Sequence, residues 1–220
     1  MKKLLFSILS LSFAITTFAQ EKDVTKFLGI PIDGSKNEMI TKLKNKGFTQ
    51  IPYDKEVILE GEFNGTAVEI YISPNNNKVH RIMVCDKNYK NEADLRIRFN
   101  KLYCQFIGNS KYITLGGDYP ISEDEDISYQ MSVNNKRYQA AFYQIDKDFT
   151  SKYLLGEYTE EQINNYENLS LENKIKIMEI VEKHCSNKLV WFMISKAAYG
   201  EYYISMFYDN VLNQANGDDL

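Results

Sequence analysis

The segment GIPIDGSK (29–36) has the glycine spacing of a phosphate-binding loop, G-x-x-x-x-G-K-[ST], with Gly29 and Gly34 in place but Ser35 and Lys36 in swapped order. In such a loop, consecutive backbone N–H groups point into the anion. Pro31 has no N–H, and Asp33 would bring a negative charge against a phosphate. The order Ser-Lys misplaces the ammonium for the terminal phosphates, and only Phe27 and Leu28 precede the loop where a buried strand belongs. Ser35-Lys36-Asn37-Glu38 instead matches the S-x-x-E capping box, in which the serine accepts from a free helix amide and the glutamate reaches back. The segment reads as a helix entry, not a nucleotide site.

Other chemistry-bearing residues give bland readings. The acids of Ser122-Glu123-Asp124-Glu125-Asp126 are contiguous, whereas a calcium loop sets its oxygen ligands at alternate positions around a glycine turn. A solvated loop is the simpler reading, and Asp146-x-Asp148 is weaker still. His80 lies in an alternating segment beside Arg81 and reads as a surface or hydrogen-bonded histidine. Cys185 directly follows His184, which on a helix separates them by about 100°, a poor start for a thiolate pair. With Cys85 and Cys104 the count is odd and contains no C-x-x-C, which suggests buried inert thiols, with a Cys85–Cys104 disulfide as the alternative. No G-x-S-x-G elbow or H-E-x-x-H helix occurs, and no spacing singles out a carboxylate pair for glycoside cleavage. The expectation is a non-enzymatic protein with no metal and no cofactor.

The compartment is read from residues 1–19. Lys2 and Lys3 form a positive start, an apolar stretch follows that falls short of the roughly 20 residues a bilayer needs, and Thr17-Phe18-Ala19 offers a signal-peptidase site before Gln20. No cysteine stands at that junction for a lipid anchor. Periplasmic or secreted localisation is expected. Loss of Lys2 and Lys3 from a chain with 26 Lys and Arg against 30 Asp and Glu leaves a net charge of −6. That balance disfavours nucleic acid and anionic lipid as partners.

The elements that must position any site follow from periodicity. A helix over 36–46 ends at Gly47, with Phe48 returning to the core. In EVILEGEFNGTAVEIYIS, Asn64-Gly65 demands a two-residue hairpin pairing Phe63 with Thr66, Gly61 with Val68, Leu59 with Ile70 and Val57 with Ile72, with Glu60, Glu62 and Glu69 on the solvent face. A third strand over 78–85 completes a meander. Leu95, Phe99, Leu102 and Phe106 predict a helix over Glu92–Ile107. Asn134-Asn135 predicts a hairpin pairing Met131 with Tyr138, Tyr129 with Ala140 and Ile127 with Phe142. Thr159-Glu160-Glu161-Gln162 opens a helical region whose second part puts Leu171, Ile175, Met178 and Val181 on one face.

The chain closes on a hairpin turning at Tyr199-Gly200. A two-residue loop there pairs Trp191 with Tyr208, Met193 with Met206 and Ser195 with Ile204, leaving Val190, Phe192, Ile194, Tyr203 and Phe207 on the other face. Both faces are apolar. Either the hairpin is covered on both sides, or Phe192, Tyr203 and Phe207 form an exposed recognition surface. The fold class is α+β: an antiparallel sheet of about seven strands with helices on one face, over 20–212. It is either one sheet or two tandem sub-domains parting near 108–125, with a frayed tail over 213–220.

The leader ending Ala19-Gln20, the run FLGIPIDGSKNEMITKLKNKGF, the L-x-G-x-F-N-G hairpin and the closing hairpin ending Tyr208-Asp209-Asn210 together resemble a group of small secreted proteins of unknown function from Gram-negative gut anaerobes. The helix-then-meander start is similar, more distantly, to the β-lactamase-inhibitor-protein and small outer-membrane-assembly lipoprotein folds. That resemblance implies work by protein–protein contact, without an active site. The leading expectation is thus an exported interaction module holding a protein or envelope partner on an aromatic sheet surface or edge. The second is a small-molecule or glycan binder with a pocket between sheet and helices.

Overall fold

The computed structural model describes residues 23–53, 56–114, 120–215 and 217. The expected leader over 1–19 and Gln20 lie outside them, as do parts of the 108–125 connection and of the tail. Along the chain run β1 (Lys26–Phe27), β2 (Ile30–Pro31), α1 (Lys36–Lys44), β3 (Thr49–Tyr53), β4 (Glu56–Phe63), β5 (Thr66–Asn75), β6 (Lys78–Asp86) and α2 (Glu92–Ile107). Then follow β7 (Tyr112–Thr114), α3 (Ile127–Val133), β8 (Gln139–Gln144), α4 (Glu160–Asn164), α5 (Leu171–Cys185), β9 (Lys188–Lys196) and β10 (Tyr202–Asn210). Among the described residues β3 to β10 form one antiparallel sheet in the order β3-β4-β5-β6-β10-β9-β8-β7, and β1 and β2 pair as a separate ribbon. The fold is α+β, and its sheet runs unbroken across the two halves of the chain because β6 pairs with β10.

Local chemistry explains most elements. Ser35 and Glu38 form both bonds of the capping box of α1, and Gly47 turns the chain at φ 100° so that Phe48 packs inward. Asn64 and Gly65 both adopt positive φ, and the hairpin pairs Phe63 with Thr66, Gly61 with Val68 and Leu59 with Ile70 as expected. In the next hairpin Pro74 faces Val79 and Ser73 faces Arg81, so His80 is the extra residue of a bulge. A proline can give no ladder bond, and the disruption sits where it stands. The Val79 N–H instead donates to the Gly34 carbonyl at 2.9 Å, and the Val79 carbonyl accepts from the Asn213 side chain at 2.8 Å.

The main core lies between one sheet face and α1 and α2. Met39 and Leu43 come from α1, and Leu95, Phe99, Leu102 and Phe106 from α2. They pack on Val68, Ile70, Ile82, Val84, Phe142, Phe192 and Met206 of the sheet. Phe106 stacks on Phe142 at 4.6 Å, and Phe99 meets Phe192 edge-on at 5.0 Å. The Arg98 guanidinium of α2 donates twice to the Asp86 carboxylate of β6 at 3.1 Å, a buried pair that sets where the helix lies along the sheet. A second, smaller core covers the opposite face at the β7–β8 end, where Ile177, Val181 and Cys185 of α5 close over Tyr143 and Ile113.

Three expectations are corrected. Residues 127–133 form α3, not a strand paired with 138–142. The Asp126 side chain accepts from the Tyr129 N–H at its start, and Glu92 accepts from the Ile127 and Ser128 amides and the Ser128 hydroxyl. Asn135, with φ 52°, serves a helix exit; the same residue type would have served a hairpin. On α5 the buried stripe is Ile177, Val181 and Cys185, whereas Leu171 (74% exposed) and Ile175 (49%) face outward. In the last hairpin the turn residues number three: Ala198, Tyr199 and Gly200 lie between Ala197 and Glu201, whose N–H and C=O meet at 2.8 Å. Trp191 therefore pairs with Phe207, Met193 with Ser205 and Ser195 with Tyr203, one residue from the expected register. Because side chains alternate, that odd loop changes which face each β10 residue occupies.

Gly61 sits under Phe48, and a Cβ there would lie 2.5 Å from the ring. Gly61→Ala should destabilise the fold by about 1–3 kcal/mol in urea titration, and Phe48→Leu in the same chain should recover part of that loss.

Candidate functional site

Three amides of the loop that resembles a phosphate cradle are already engaged. Ile32 N–H donates to the Thr25 carbonyl, Asp33 N–H to the Pro31 carbonyl and Ser35 N–H to Glu38. The Asn210 side chain donates to the Ile32 carbonyl at 2.6 Å, and Asn213 donates to Asp33 at 2.9 Å. Asn213, expected to begin the frayed tail, is thereby buried and anchored. The loop is a fastening between the N-terminal segment and the end of β10.

The sheet face opposite α1 and α2 carries a ladder that, among the described residues, no helix of either core covers; Tyr71, Met83 and Trp191 on it are half-buried, while Ile58 (2% exposed) is buried. Successive pairings place Ile58 beside Tyr71, Tyr71 beside Met83, Met83 beside Phe207, Phe207 beside Trp191 and Trp191 beside Ala141. Ile58, Met83, Phe207 and Trp191 belong to neither core. Trp191 and Phe207 stack at 3.9 Å with ring planes 14° apart, and the Arg81 guanidinium lies over both. Asp209 accepts two bonds from Arg81, at 2.6 and 2.8 Å, and one from the Trp191 indole at 2.9 Å. The paired Asp209 holds the Arg81 guanidinium even more firmly protonated than usual. Glu56, Glu60 and Glu69 stand on the same face beside the ladder; Lys87 pairs with Glu60 at 2.8 Å, and the Tyr71 hydroxyl donates to Glu69 at 2.7 Å.

Of the three residues expected to form a recognition surface, Phe192 is fully buried under α2, while Tyr203 and Phe207 stand on the open face. Tyr203 is half-buried and meets the exposed Tyr89 at 5.6 Å; Phe207 is 9% exposed, sheltered by Trp191 and Arg81. The structure brings Tyr203 and Phe207 to one face and separates Phe192 from them. Tyr71 and Met83 were missed, although the Asn64-Gly65 register already set Tyr71 beside Ile58, outside the apolar face that faces the core.

A cleft of about 830 Å³ opens at the other end of the core, between the C-terminal half of α2, the β1–β2 ribbon, the β4–β5 turn and β7–β8. Its walls include Phe63, Phe106, Tyr112, Gln144 and Tyr208, and its rim includes Lys26, Lys111, Lys147, Glu62 and Asp146. Lys188 reaches the same rim but is 4% exposed and paired with Asp23 at 2.8 Å and Asp146 at 3.4 Å. The lysines share no spacing in sequence and were not singled out there; only the fold gathers them.

No family model, curated protein or solved structure matches this chain.

The remaining chemistry-bearing residues have structural partners. Glu125 of the acidic run accepts from Lys136 and Tyr138, and Asp126 caps α3. Asp146, Asp148 and His184 border a hollow of about 180 Å³, with His184 stacked on Tyr153 at 3.9 Å. Among the described residues no group of three or more His, Cys, Asp or Glu is placed to hold a metal ion. Among the described residues the buried Nδ1 of His80 has no hydrogen-bond partner, and burial together with Arg81 lowers its pKa. All three cysteines are free, which overturns the Cys85–Cys104 alternative.

Burial pushes the thiols of Cys85 and Cys185 up to about 11, whereas Cys104 is exposed. A disulfide reagent at about pH 8 should titrate one thiol quickly in the native protein and three after unfolding, and Cys104→Ser should remove the fast phase. Two fast thiols in the native chain would contradict this burial.

Proposed function

We propose that the protein is an exported, non-enzymatic interaction module that docks a protein partner on its open sheet face. The observation that carries this reading is the row Ile58–Tyr71–Met83–Phe207–Trp191 across five neighbouring strands, which among the described residues no helix of either core covers and whose half-buried members Tyr71, Met83 and Trp191 reach solvent. A soluble chain normally buries such a row or uses it. Its chemistry selects the occupant: a surface with an apolar centre to lie on Tyr71, Met83 and Trp191, rimmed by Lys or Arg to answer the excess of Glu56, Glu60 and Glu69 over the one lysine, Lys87, that pairs with Glu60. Export rests on the leader-like residues 1–19. Among the described residues no helix is long and apolar enough to cross a membrane.

The experiment uses the chain from Gln20 onward as bait against native envelope extract with mild crosslinking, followed by titration of the purified partner. Tyr71→Ser combined with Met83→Ser should weaken binding at least about tenfold, and Glu56→Lys with Glu60→Lys comparably, while melting temperatures change little. An empty capture, or a partner that ignores both pairs of substitutions, would overturn the reading.

A further inference from the structure

We infer that the lysine-rimmed cleft is a binding site for a small organic anion, a carboxylate carried on an apolar or aromatic body. It is separate from the open sheet face and does not depend on it. Its size, about 830 Å³, falls in the range of small-molecule sites.

The argument starts from Gln144. The Lys26 N–H donates to Gln144 Oε1 at 2.7 Å, and Gln144 Nε2 donates to the Lys26 carbonyl at 3.0 Å. These two bonds leave no choice of amide orientation. Nε2 is therefore the atom 3.3 Å from the Tyr112 hydroxyl, and Tyr112 accepts. The Tyr112 and Tyr208 hydroxyls are neighbours on the wall of the cleft. With Gln144 donating into this pair of hydroxyls, a tyrosine proton is left to give on the wall of the cleft.

An acceptor entering the cleft meets positive charge. Lys111 and Lys147 are exposed at the rim, and among the described residues neither ammonium has an anionic partner. Of the two acids flanking Lys147, Asp146 is engaged by Lys188 and Asp148 borders the separate small hollow. This local excess of cations stands on a chain whose net charge is negative. Phe63, Leu28 and Phe106 supply apolar surface beside the donor. A hydroxyl donor, two unpaired ammonium groups and an aromatic wall select an anionic oxygen on an apolar carrier.

The test compares 2-naphthylacetate with its neutral counterpart 2-naphthaleneethanol by calorimetric titration on the chain from Gln20. The acid should bind at least about tenfold more tightly than the alcohol. Lys111→Glu with Lys147→Glu should remove that preference without changing alcohol binding, and Tyr112→Phe should weaken the acid severalfold while the fold keeps its melting temperature. Tyr71→Ser with Met83→Ser, on the far face, should leave both titrations unchanged. Equal affinity for acid and alcohol, absence of acid binding, or an acid affinity indifferent to the lysine substitutions would overturn the inference.

Discussion

A buried carboxylate in the middle of a sheet must be answered by donors on the strands beside it, and Asp209 is answered on both sides. Its side chain, 2% exposed, takes two bonds from Arg81 on β6 and one from Trp191 on β9. Its own carbonyl accepts from the Thr25 hydroxyl of the N-terminal segment. An ion pair out of water repays its desolvation only when geometry and remaining hydrogen bonds are satisfied, and here three donors converge on two oxygens. The consequence reaches beyond one residue. β6 and β10 join the two halves of the chain, so a slip of one residue between them would strand both charges and turn the ladder of rings inward.

The same logic holds the N-terminal segment, where a ladder is too short to help. β1 and β2 have two residues each. Side chains stand in for strand neighbours: Gln144 brackets the backbone of Lys26, Lys188 pairs with Asp23, Asn210 reaches the Ile32 carbonyl and Asn213 reaches Asp33. Each is a polar group taken from a strand end or its continuation and bonded to the chain it fastens. Because Gln144 and Lys188 also border the cleft, the fastening and the cleft wall are one piece of structure.

Much of this was legible where the cause is local. The capping box at Ser35, the Asn64-Gly65 turn, and the helix over Glu92–Ile107 are set by neighbours within a few residues, and they stand as read. The misreadings share one origin. Asn134-Asn135 and Tyr199-Gly200 both announce a positive φ, but the residues themselves do not say whether a helix exit, a two-residue turn or a three-residue turn will use it. Long-range carboxylates decided the first case, since Glu92 lies far back along the chain from the α3 amides it caps. In the second, the three donors of Asp209 require Asp209, Phe207 and Trp191 on one face, and only an odd loop allows that. The cleft was illegible because its lysines meet only through sheet order.

Where the open face lies follows from how short the last connections are. Two residues separate the end of α5 from the start of β9, so α5 must rest over the β8 side of the sheet, where Tyr143 and Ile113 receive it. It cannot reach β4, β5 and β6. α1 and α2 are committed to the opposite face by Met39, Leu43 and the Arg98–Asp86 pair. Among the described residues no helix remains for the Tyr71–Met83–Phe207 row. That row is made tolerable in water by what lies across it: a guanidinium whose charge is already matched covers the rings of Trp191 and Phe207. An Arg81 held by Asp209 is a rigid, low-entropy cover, which leaves Tyr71 and Met83 as the part of the row a partner could still bury at little conformational cost.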